Sequence, residues 1–137
     1  MIVAVHPDNL RWIWPRILRY IQEPLAYESD GLTPERLYDQ IRQQRMLLLV
    51  ALDKGEILAA QTMEIIETPQ GKLINLVTTG GHDLDKWQDE LAQAMDNIAK
   101  EQGAGSIRTR GRPGWLRQLK RNGYTPLYFI AEKRLNT

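Results

Sequence analysis

Apolar residues recur along the chain at two spacings, which predict an alternation of strands and helices. Between residues 9 and 21 they fall three or four positions apart, the spacing of a helix that buries one face. Pro15 lies inside this pattern and predicts a kink or an irregular first turn. Because Trp12 and Trp14 lie two positions apart, one of them is expected to be exposed, unless the irregular turn directs both inward.

The middle of the chain predicts a second helix followed by three strands. The segment LTPERLYDQI has Thr33 as a helix N-cap and Pro34 at the first helical position. Two apolar runs then lie on either side of the sequence DKGE, which is a hairpin signal, and the turn ETPQGK leads into a third run, LINLVTT. These runs predict an antiparallel meander, and MIVAV at the start of the chain predicts a further strand.

The last third of the chain predicts one long helix, a strand, a short helix and a final strand. The long helix carries an apolar stripe, with Asp83 as its N-cap and Gly103 at its end. The stripe is Leu84, Trp87, Leu91, Ala94, Met95 and Ile98. SIRTR predicts a strand, GWLRQLKRNG a short helix seated by Trp115, and TPLYFIAEKRL a final strand. The element order β-α-α-β-β-β-α-β-α-β predicts a single α+β domain over residues 1–137.

The amino-acid composition excludes several kinds of site but identifies none. The 137 residues are 42% apolar and 26% charged, with a net charge of +1, as in ordinary soluble proteins. Without cysteine there is no disulfide, thiolate nucleophile or cysteine–metal site, and the two histidines are too far apart to suggest a metal centre. The first residues lack a basic region and are not a secretory signal, and no apolar stretch approaches the ~20 residues that span a membrane. An unsecreted soluble protein is therefore expected.

The segment LVTTGGHDLDKW, residues 76–87, raises the functional question. A strand that enters a glycine pair and then a helix is typical of a loop that holds phosphate. Asp83 and Asp85 follow the glycines, and like charges ~4 Å apart repel by about 1 kcal/mol in water and about 4 at an effective dielectric of 20. The pattern therefore favours a turn made by Gly80-Gly81 with Asp83 as the helix cap.

The order of elements resembles the GNAT superfamily of acyl-CoA-dependent N-acetyltransferases over essentially the whole chain. The resemblance implies a mixed, mostly antiparallel sheet of about six strands with about four helices. It also implies that acyl-CoA lies where the fourth strand splays from its neighbour, with the pyrophosphate on the next helix's first amides. The cofactor residues, if the chain is an enzyme, would be Val77, Thr78, Gly80, Gly81, Arg110 and Arg112.

Two departures from the GNAT pattern argue against efficient catalysis. The family's pyrophosphate motif has an Arg or Gln and then spaced glycines, whereas this chain has Thr-Thr-Gly-Gly-His-Asp at residues 78–83. The family's tyrosine acid, four residues before a Gly-Tyr pair, is replaced by Leu119. No catalytic residue is assigned. Candidate bases, weighed against structural roles, are His6, His82 and Glu64, and candidate acids are Tyr124 and Tyr128.

The motifs GGHDLDKW and GRPGWLRQL are also similar to those of small GNAT-like proteins encoded by tailed bacteriophages. This resemblance implies a virion-associated or assembly protein, located in the host cytoplasm or the particle, whose partners are virion proteins or its own copies. No cofactor is then expected, and acetyl-CoA is expected only under the alternative of an active acetyltransferase. Under that alternative a basic strip would bind the phosphates of the coenzyme. A third possibility is that the strip binds nucleic acid, but six cations of this kind are more often a solvated face. The strip is Arg108, Arg110, Arg112, Arg117, Lys120 and Arg121.

Overall fold

A five-stranded sheet organises the computed structural model, which describes residues 1–27, 31–111, 113–128 and 130–135. The strands lie in chain order across the sheet, and each pair is antiparallel except the last, which is parallel. They are β1 (Ile2–Ala4), β2 (Leu47–Asp53), β3 (Glu56–Thr68), β4 (Gly71–Gly81) and β5 (Ala104–Thr109). The α+β class and the mixed, mostly antiparallel sheet are confirmed, with five strands where about six were expected.

The described residues form four α-helices, of which the first two pack on one face of the sheet and the third on the other. They are α1 (Leu10–Leu25), α2 (Pro34–Arg42), α3 (Gln88–Gln102) and α4 (Leu116–Arg121). The hydroxyl of Thr33 accepts the Arg36 N–H at 3.2 Å, so the predicted cap of α2 is confirmed. Helix α1 continues through Pro15 and Pro24, beyond the end that the apolar pattern predicted near residue 21.

The meander and its turn follow the predicted pattern. Lys54 and Gly55 join β2 to β3 with φ angles of 51° and 81°, the left-handed conformations that a tight hairpin turn requires. Trp14 packs edge-on against Tyr38 with ring centroids 5.2 Å apart, whereas Trp12 is 65% exposed. The prediction that one of these two tryptophans is exposed is confirmed.

The core has two layers, one on each face of the sheet. On the first face α1 and α2 bury a cluster that consists of Leu10, Ile17, Tyr20, Ile21, Leu37, Ile41, Met46, Leu48, Val50 and Ala60. On the second face α3 buries the cluster Leu49, Ala51, Leu58, Ala59, Met63, Ile74, Trp87, Leu91 and Met95. The predicted stripe on α3 therefore faces the sheet, and Gly103 ends that helix with a φ of +69° as predicted.

The start of α3 differs from the prediction. Asp83 makes no side-chain cap and has a left-handed φ of 54°, and residues 84–86 form a separate 3-10 turn. Trp87 occupies the N-cap position of α3. Its indole is buried and donates to the carbonyl oxygen of His82 at 2.7 Å, which holds the chain in this extra turn before the helix begins. The prediction that Asp83 caps the helix is therefore wrong.

The C-terminal part also differs from the prediction. The described residues of TPLYFIAEKRL, 125–128 and 130–135, carry no strand. In addition Trp115 and Leu116 are 36% and 39% exposed, and no described side chain of α4 is buried. The predicted final strand is therefore wrong for the described residues, and so is the prediction that Trp115 seats the short helix firmly on the sheet. Strand formation needs a neighbour to pair with, which local sequence cannot specify.

Candidate active site

The candidate coenzyme site is a gap between β4 and β5. These strands pair from Lys72 opposite Ala104 to Leu76 opposite Thr109, and β4 then continues to Gly81 paired with β3 alone. The β5-facing edge of residues 77–81 consequently has no sheet partner among the described residues. The GNAT resemblance predicts that the coenzyme lies at such an opening, which here begins where β5 ends at Thr109.

The side chains expected to line the gap point elsewhere. Val77 is left without a partner where the β3–β4 register shifts, and its side chain packs into the α1 face of the core. Thr78 is buried, with its hydroxyl 2.7 Å from that of Thr62, which also accepts the Thr78 N–H. What these two residues can offer a ligand is therefore backbone, not side chain.

The glycine pair is part of strand β4 and not a phosphate loop. A Cβ on Gly80 would lie 2.1 Å from the carbonyl oxygen of Tyr20, and one on Gly81 would lie 2.4 Å from that of Leu58. Pro24 has no N–H to donate to the Tyr20 carbonyl, which instead faces β4. The glycines therefore permit close packing of α1 and β3 on β4, and the prediction that they form the strand-to-helix turn is wrong.

Acidic side chains surround the place where a pyrophosphate would approach. Asp83 and the exposed Asp85 precede α3, and Asp89 and Glu90 occupy its first turn. Negative groups stabilise a helix N-terminus through its dipole by ~0.3–1 kcal/mol each and compete with any anionic ligand there. Lys86, in the turn before α3, already lies 3.6 Å from Asp53 and 3.8 Å from Asp83.

A polar cluster around Tyr20 lies on the other side of β4, beneath α1. The Tyr20 hydroxyl lies 2.8 Å from Nδ1 of His82 and 3.1 Å from the Ile57 carbonyl oxygen, and it accepts from Arg19 at 2.7 Å. Hydrogen bonding to Tyr20 raises the pKa of the Arg19 guanidinium, which remains a cation. Nε2 of His82 lies 3.8 Å from the Glu56 carboxylate.

His82 joins the end of β4 to α1. Its Nδ1 lies 2.8 Å from the Tyr20 hydroxyl, and its Nε2 lies 3.8 Å from the carboxylate of Glu56 and 3.9 Å from that of Asp83. Because the Tyr20 hydroxyl donates its single proton to the Ile57 carbonyl, Nδ1 of His82 donates to the hydroxyl oxygen. These contacts give His82 a structural role, and no catalytic role is assigned to it.

The remaining candidate bases and acids do not meet in one site. His6 is exposed and accepts the Asp8 N–H at 3.1 Å, while the carboxylate of Glu64 accepts from Asn75 at 3.0 Å. Burial and then the charge of Asp96 raise the pKa of Tyr124, which makes its phenol a weaker acid. Tyr128 is 68% exposed in the C-terminal region.

The basic strip is a solvated surface over its described part. Arg108 and Arg110 are exposed at the end of β5, and Arg117, Lys120 and Arg121 are exposed along α4. Arg112, one of the expected phosphate ligands, lies outside the described residues. Of the two arginines in the expected cofactor set, Arg110 is therefore the one that the structure describes, and it directly follows the end of β5.

Two surface cavities lie beside Tyr20 rather than in the gap. One of about 360 Å³ and one of about 290 Å³ share Arg19 and Tyr20. The larger is lined by Pro15, Arg16, Arg19, Tyr20, Gly55, Glu56 and Ile57, and the smaller by Arg19, Tyr20, Glu23, Gly81 and His82. Of the described residues in the expected cofactor set, Gly81 alone borders either cavity. Both cavities mix cationic and anionic side chains, which does not select a phosphorylated ligand.

Sequence reasoning missed Tyr20, Glu56 and Gln61. In the sequence Tyr20 only continues the apolar pattern of a helix. Its contact with His82 joins two residues that are distant in the chain. Gln61 is 4% exposed, donates to Thr79 at 2.9 Å, and has no partner for its Oε1 among the described residues. A polar residue inside the apolar run EILAAQTMEII was the available signal for it.

Tyr20→Phe should lower the free energy of unfolding by ~1–2 kcal/mol. The variant keeps the buried ring but removes the hydroxyl that joins Arg19, Ile57 and His82, leaving partly buried polar groups without this partner. Urea unfolding monitored by circular dichroism measures the loss. Tyr128→Phe is the matched control, because Tyr128 is 68% exposed, and should change stability by less than ~0.5 kcal/mol. Equal effects of both variants would contradict a structural role for the cluster.

The described residues lack two further features, an apolar helix of membrane-spanning length and a cluster of metal-binding side chains. None of the described helices combines the length and the apolar character needed to cross a membrane. Within the same described ranges, no group of three or more His, Asp or Glu side chains is placed to hold a metal ion.

Comparison with solved structures supports the fold but not a particular activity. An aminoglycoside acetyltransferase from an uncultured soil metagenomic sample, in complex with sisomicin, superposes with a TM-score of 0.71 at 13% identity, covering 100% of this chain and 95% of its own. A predicted acetyltransferase from Clostridium acetobutylicum, solved with acetyl-CoA, gives a TM-score of 0.72 at 12% identity, covering 98% of this chain and 95% of its own. Glucosamine-6-phosphate N-acetyltransferase of Arabidopsis thaliana gives 0.71 at 12%, with 99% and 98% covered.

No protein-family model matches the chain, and no curated protein matches it in sequence. At these identities the structural matches establish the fold alone. The chain has the fold of the GNAT acetyltransferases over essentially its whole length. The activity must be inferred from the site.

Proposed function

We propose that this chain is a phage-encoded protein that uses the GNAT fold without efficient acetyl transfer, and that it acts through protein contacts in a virion or during its assembly. The proposed loss of acetyl transfer rests on one observation, the close packing of two glycines and the acidic charge at the end of β4. There Gly80 and Gly81 are required by neighbouring backbone, and Asp83 and Asp85 stand where the coenzyme's pyrophosphate would bind. The virion role rests on the similarity of GGHDLDKW and GRPGWLRQL to phage proteins.

Missing proton-transfer groups support the same proposal. Leu119 stands where the family's tyrosine acid would be, and Nδ1 of His82 is held in a hydrogen bond with the Tyr20 hydroxyl. Acetyl transfer from a thioester to an amine needs a group that takes the amine's proton and benefits from an acid for the leaving thiolate. Among the described residues no base and acid converge on the gap.

The alternative is an acetyl-CoA-dependent N-acetyltransferase with non-standard coenzyme contacts. The specific observation in its favour is the gap itself, where residues 77–81 present an unpaired strand edge that could bind the pantetheine chain. Arg108, Arg110 and Arg112 would then supply phosphate charge from the β5 side.

The double variant Asp83→Asn, Asp85→Asn tests whether the negative charge of these two residues prevents the coenzyme from binding. Removing two negative charges should raise the affinity for acetyl-CoA about tenfold or more, because each charge repels a phosphate by about 1 kcal/mol or more. Asparagine tolerates the left-handed backbone of residue 83, so the fold should persist. Isothermal titration calorimetry measures the affinity of both proteins.

The matched control is Asp8→Asn, Asp39→Asn, which changes the net charge equally at exposed or partly exposed sites away from β4. It should leave coenzyme affinity unchanged. A wild-type protein that binds as tightly as the Asp83, Asp85 variant would show that these carboxylates are not the barrier. Equal gains in both double variants would assign the effect to net charge and would also contradict the proposal.

A further inference from the structure

The solvent-facing side of α1 combines an exposed tryptophan with arginines. Trp12, Arg16 and Arg19 lie four and three positions apart, so they share one side of the helix, here called the outer face of α1. The opposite side of the helix carries Ile17 and Ile21, which are buried against the sheet. An exposed tryptophan beside exposed arginines is the composition of a binding surface rather than of an ordinary solvated face.

Trp12 is held in place although it is exposed. The guanidinium carbon of Arg11 lies 4.7 Å from the centroid of the Trp12 ring, a cation–π contact. Trp12 is nevertheless 65% exposed, whereas its neighbour Trp14 packs against Tyr38. A side chain that is already ordered loses little conformational freedom when a partner binds. Trp12 is therefore well suited to anchor an interface.

The arginines of α1 present positive charge that no described carboxylate neutralises by direct contact. Residues 9–22 contain three arginines, Arg11, Arg16 and Arg19, and no acidic residue. All three are exposed, and among the described residues no carboxylate forms an ion pair with any of them. The Arg19 guanidinium donates to the Tyr20 hydroxyl at 2.7 Å and lies over its ring, which fixes the position of this charge.

A groove beside the outer face of α1 gives a ligand room to approach these arginines. It is the cavity of about 360 Å³, which lies between α1 and the start of β3. Pro15, Arg16 and Arg19 line it from α1, and Glu56 and Ile57 line it from β3. The two guanidinium groups of the outer face therefore border a concave surface, not a flat one.

We propose that the outer face of α1 docks an acidic segment of a partner protein. Carboxylates of the segment bind Arg16 and Arg19, and an apolar side chain of the segment packs on Trp12. The planar guanidinium group can bind a carboxylate through two parallel hydrogen bonds, and tryptophan and arginine are enriched among the residues that dominate binding energy. The inference rests on the proposed protein-contact function and deepens it by naming the chemistry of the partner.

A protein segment fits this face better than a nucleic acid or a membrane. Between Trp12 and Arg19 the helix rises by only ~10 Å, the length of about three extended residues. Glu23 continues the outer face beyond Arg19, and Glu56 borders the groove. These carboxylates interrupt the positive charge that a phosphate backbone or an anionic bilayer requires over a longer distance.

Selection from a library of random peptides identifies the chemistry that the chain binds. The full chain is immobilised and exposed to the library at physiological salt, and the retained peptides are sequenced. The proposal expects enrichment of peptides that combine Asp or Glu with an aromatic or aliphatic residue. Their affinities are then measured by fluorescence anisotropy with labelled synthetic peptides. Enrichment of basic or uncharged peptides alone, or of none, would overturn the proposal.

Variants at exposed positions locate the binding. Arg16→Glu and Trp12→Ala should each weaken the binding of a selected acidic peptide about tenfold or more, because each removes one of the proposed anchors. Arg117→Glu and Tyr128→Ala are the matched controls, since both residues are exposed outside α1. The controls should change the affinity by less than about twofold, because salt screens distant charges. An equal loss with Arg117→Glu would assign the binding to the basic strip or to net charge and would contradict the proposal.

The other occupants have their own probes, a labelled oligothymidine and vesicles of phosphatidylcholine and phosphatidylserine. Binding of either probe that Arg16→Glu abolishes would mean that the face recognises phosphate, and it would overturn the proposal. If acidic peptides bind but Arg16→Glu and Trp12→Ala leave their affinity unchanged, the assigned site is wrong and the protein-contact function stands. Titration with acetyl-CoA tests the loss of acetyl transfer separately, so the two proposals fail independently.

Discussion

Gly80→Ala should lower the free energy of unfolding by ~3 kcal/mol or more, because a Cβ there would overlap the backbone of α1. The added carbon would lie 2.1 Å from the Tyr20 carbonyl oxygen and 2.9 Å from its carbon. Neither atom belongs to a flexible side chain, so α1 itself would have to move. That movement would separate the buried Ile17 and Ile21 from the sheet. Urea unfolding followed by circular dichroism measures the change.

Gly105→Ala is the matched control. Gly105 lies in β5, and no heavy atom lies within 4 Å of the position of its added Cβ. The control should change stability by less than ~0.5 kcal/mol. If Gly80→Ala were equally mild and instead changed only the affinity for a coenzyme, the glycine pair would be a binding loop rather than a packing contact.

Leu91→Ala should cost ~2–5 kcal/mol, the usual range for a leucine removed from a well-packed core. Leu91 is 8% exposed and packs with Met63, Ile74 and Met95 between α3 and the sheet. Leu47→Ala is the comparison, because Leu47 is 37% exposed at the start of β2 and should cost less than ~1 kcal/mol. Equal losses at the two sites would mean that α3 does not hold the second layer of the core.

The elements that were predicted correctly from the sequence are those determined by residues close to one another in the chain. Thr33 and Pro34 specify the start of α2 within four residues, and Lys54-Gly55 specifies the hairpin between β2 and β3. The apolar stripe of α3 likewise records its buried face, because residues three or four apart share one side of a helix. These signals were sufficient for the order of the strands and α-helices from β1 to α4, and therefore for the fold.

The predictions that failed depend on contacts between distant segments. The glycine pair resembles a loop in sequence, but the atoms that require Gly80 belong to Tyr20 and Pro24 of α1. The final strand was predicted from its apolar residues, yet a strand forms only where an edge is paired. Asp83 lost its predicted cap role because the indole of Trp87 binds the carbonyl of His82 and inserts another turn.

The candidate site was only partly visible in the sequence. Pairing between β4 and β5 stops at Leu76 opposite Thr109, so residues 77–81, which include four of the expected cofactor residues, have no partner strand on that side among the described residues. Their side chains were not predictable, since the burial of Thr78 depends on Thr62 of the neighbouring strand. The cluster of Tyr20, His82 and Glu56 left no sequence signal, because three separate elements bring it together.

The most direct test of the central claim is a calorimetric titration of the full chain with acetyl-CoA at physiological salt. The acidic end of β4 should prevent useful binding, so we expect no saturable heat at coenzyme concentrations up to about 100 μM, a limit equivalent to a binding free energy weaker than about −5.5 kcal/mol. A dissociation constant below about 10 μM, accompanied by acetylation of an amine, would contradict the claim and establish the chain as an acetyltransferase.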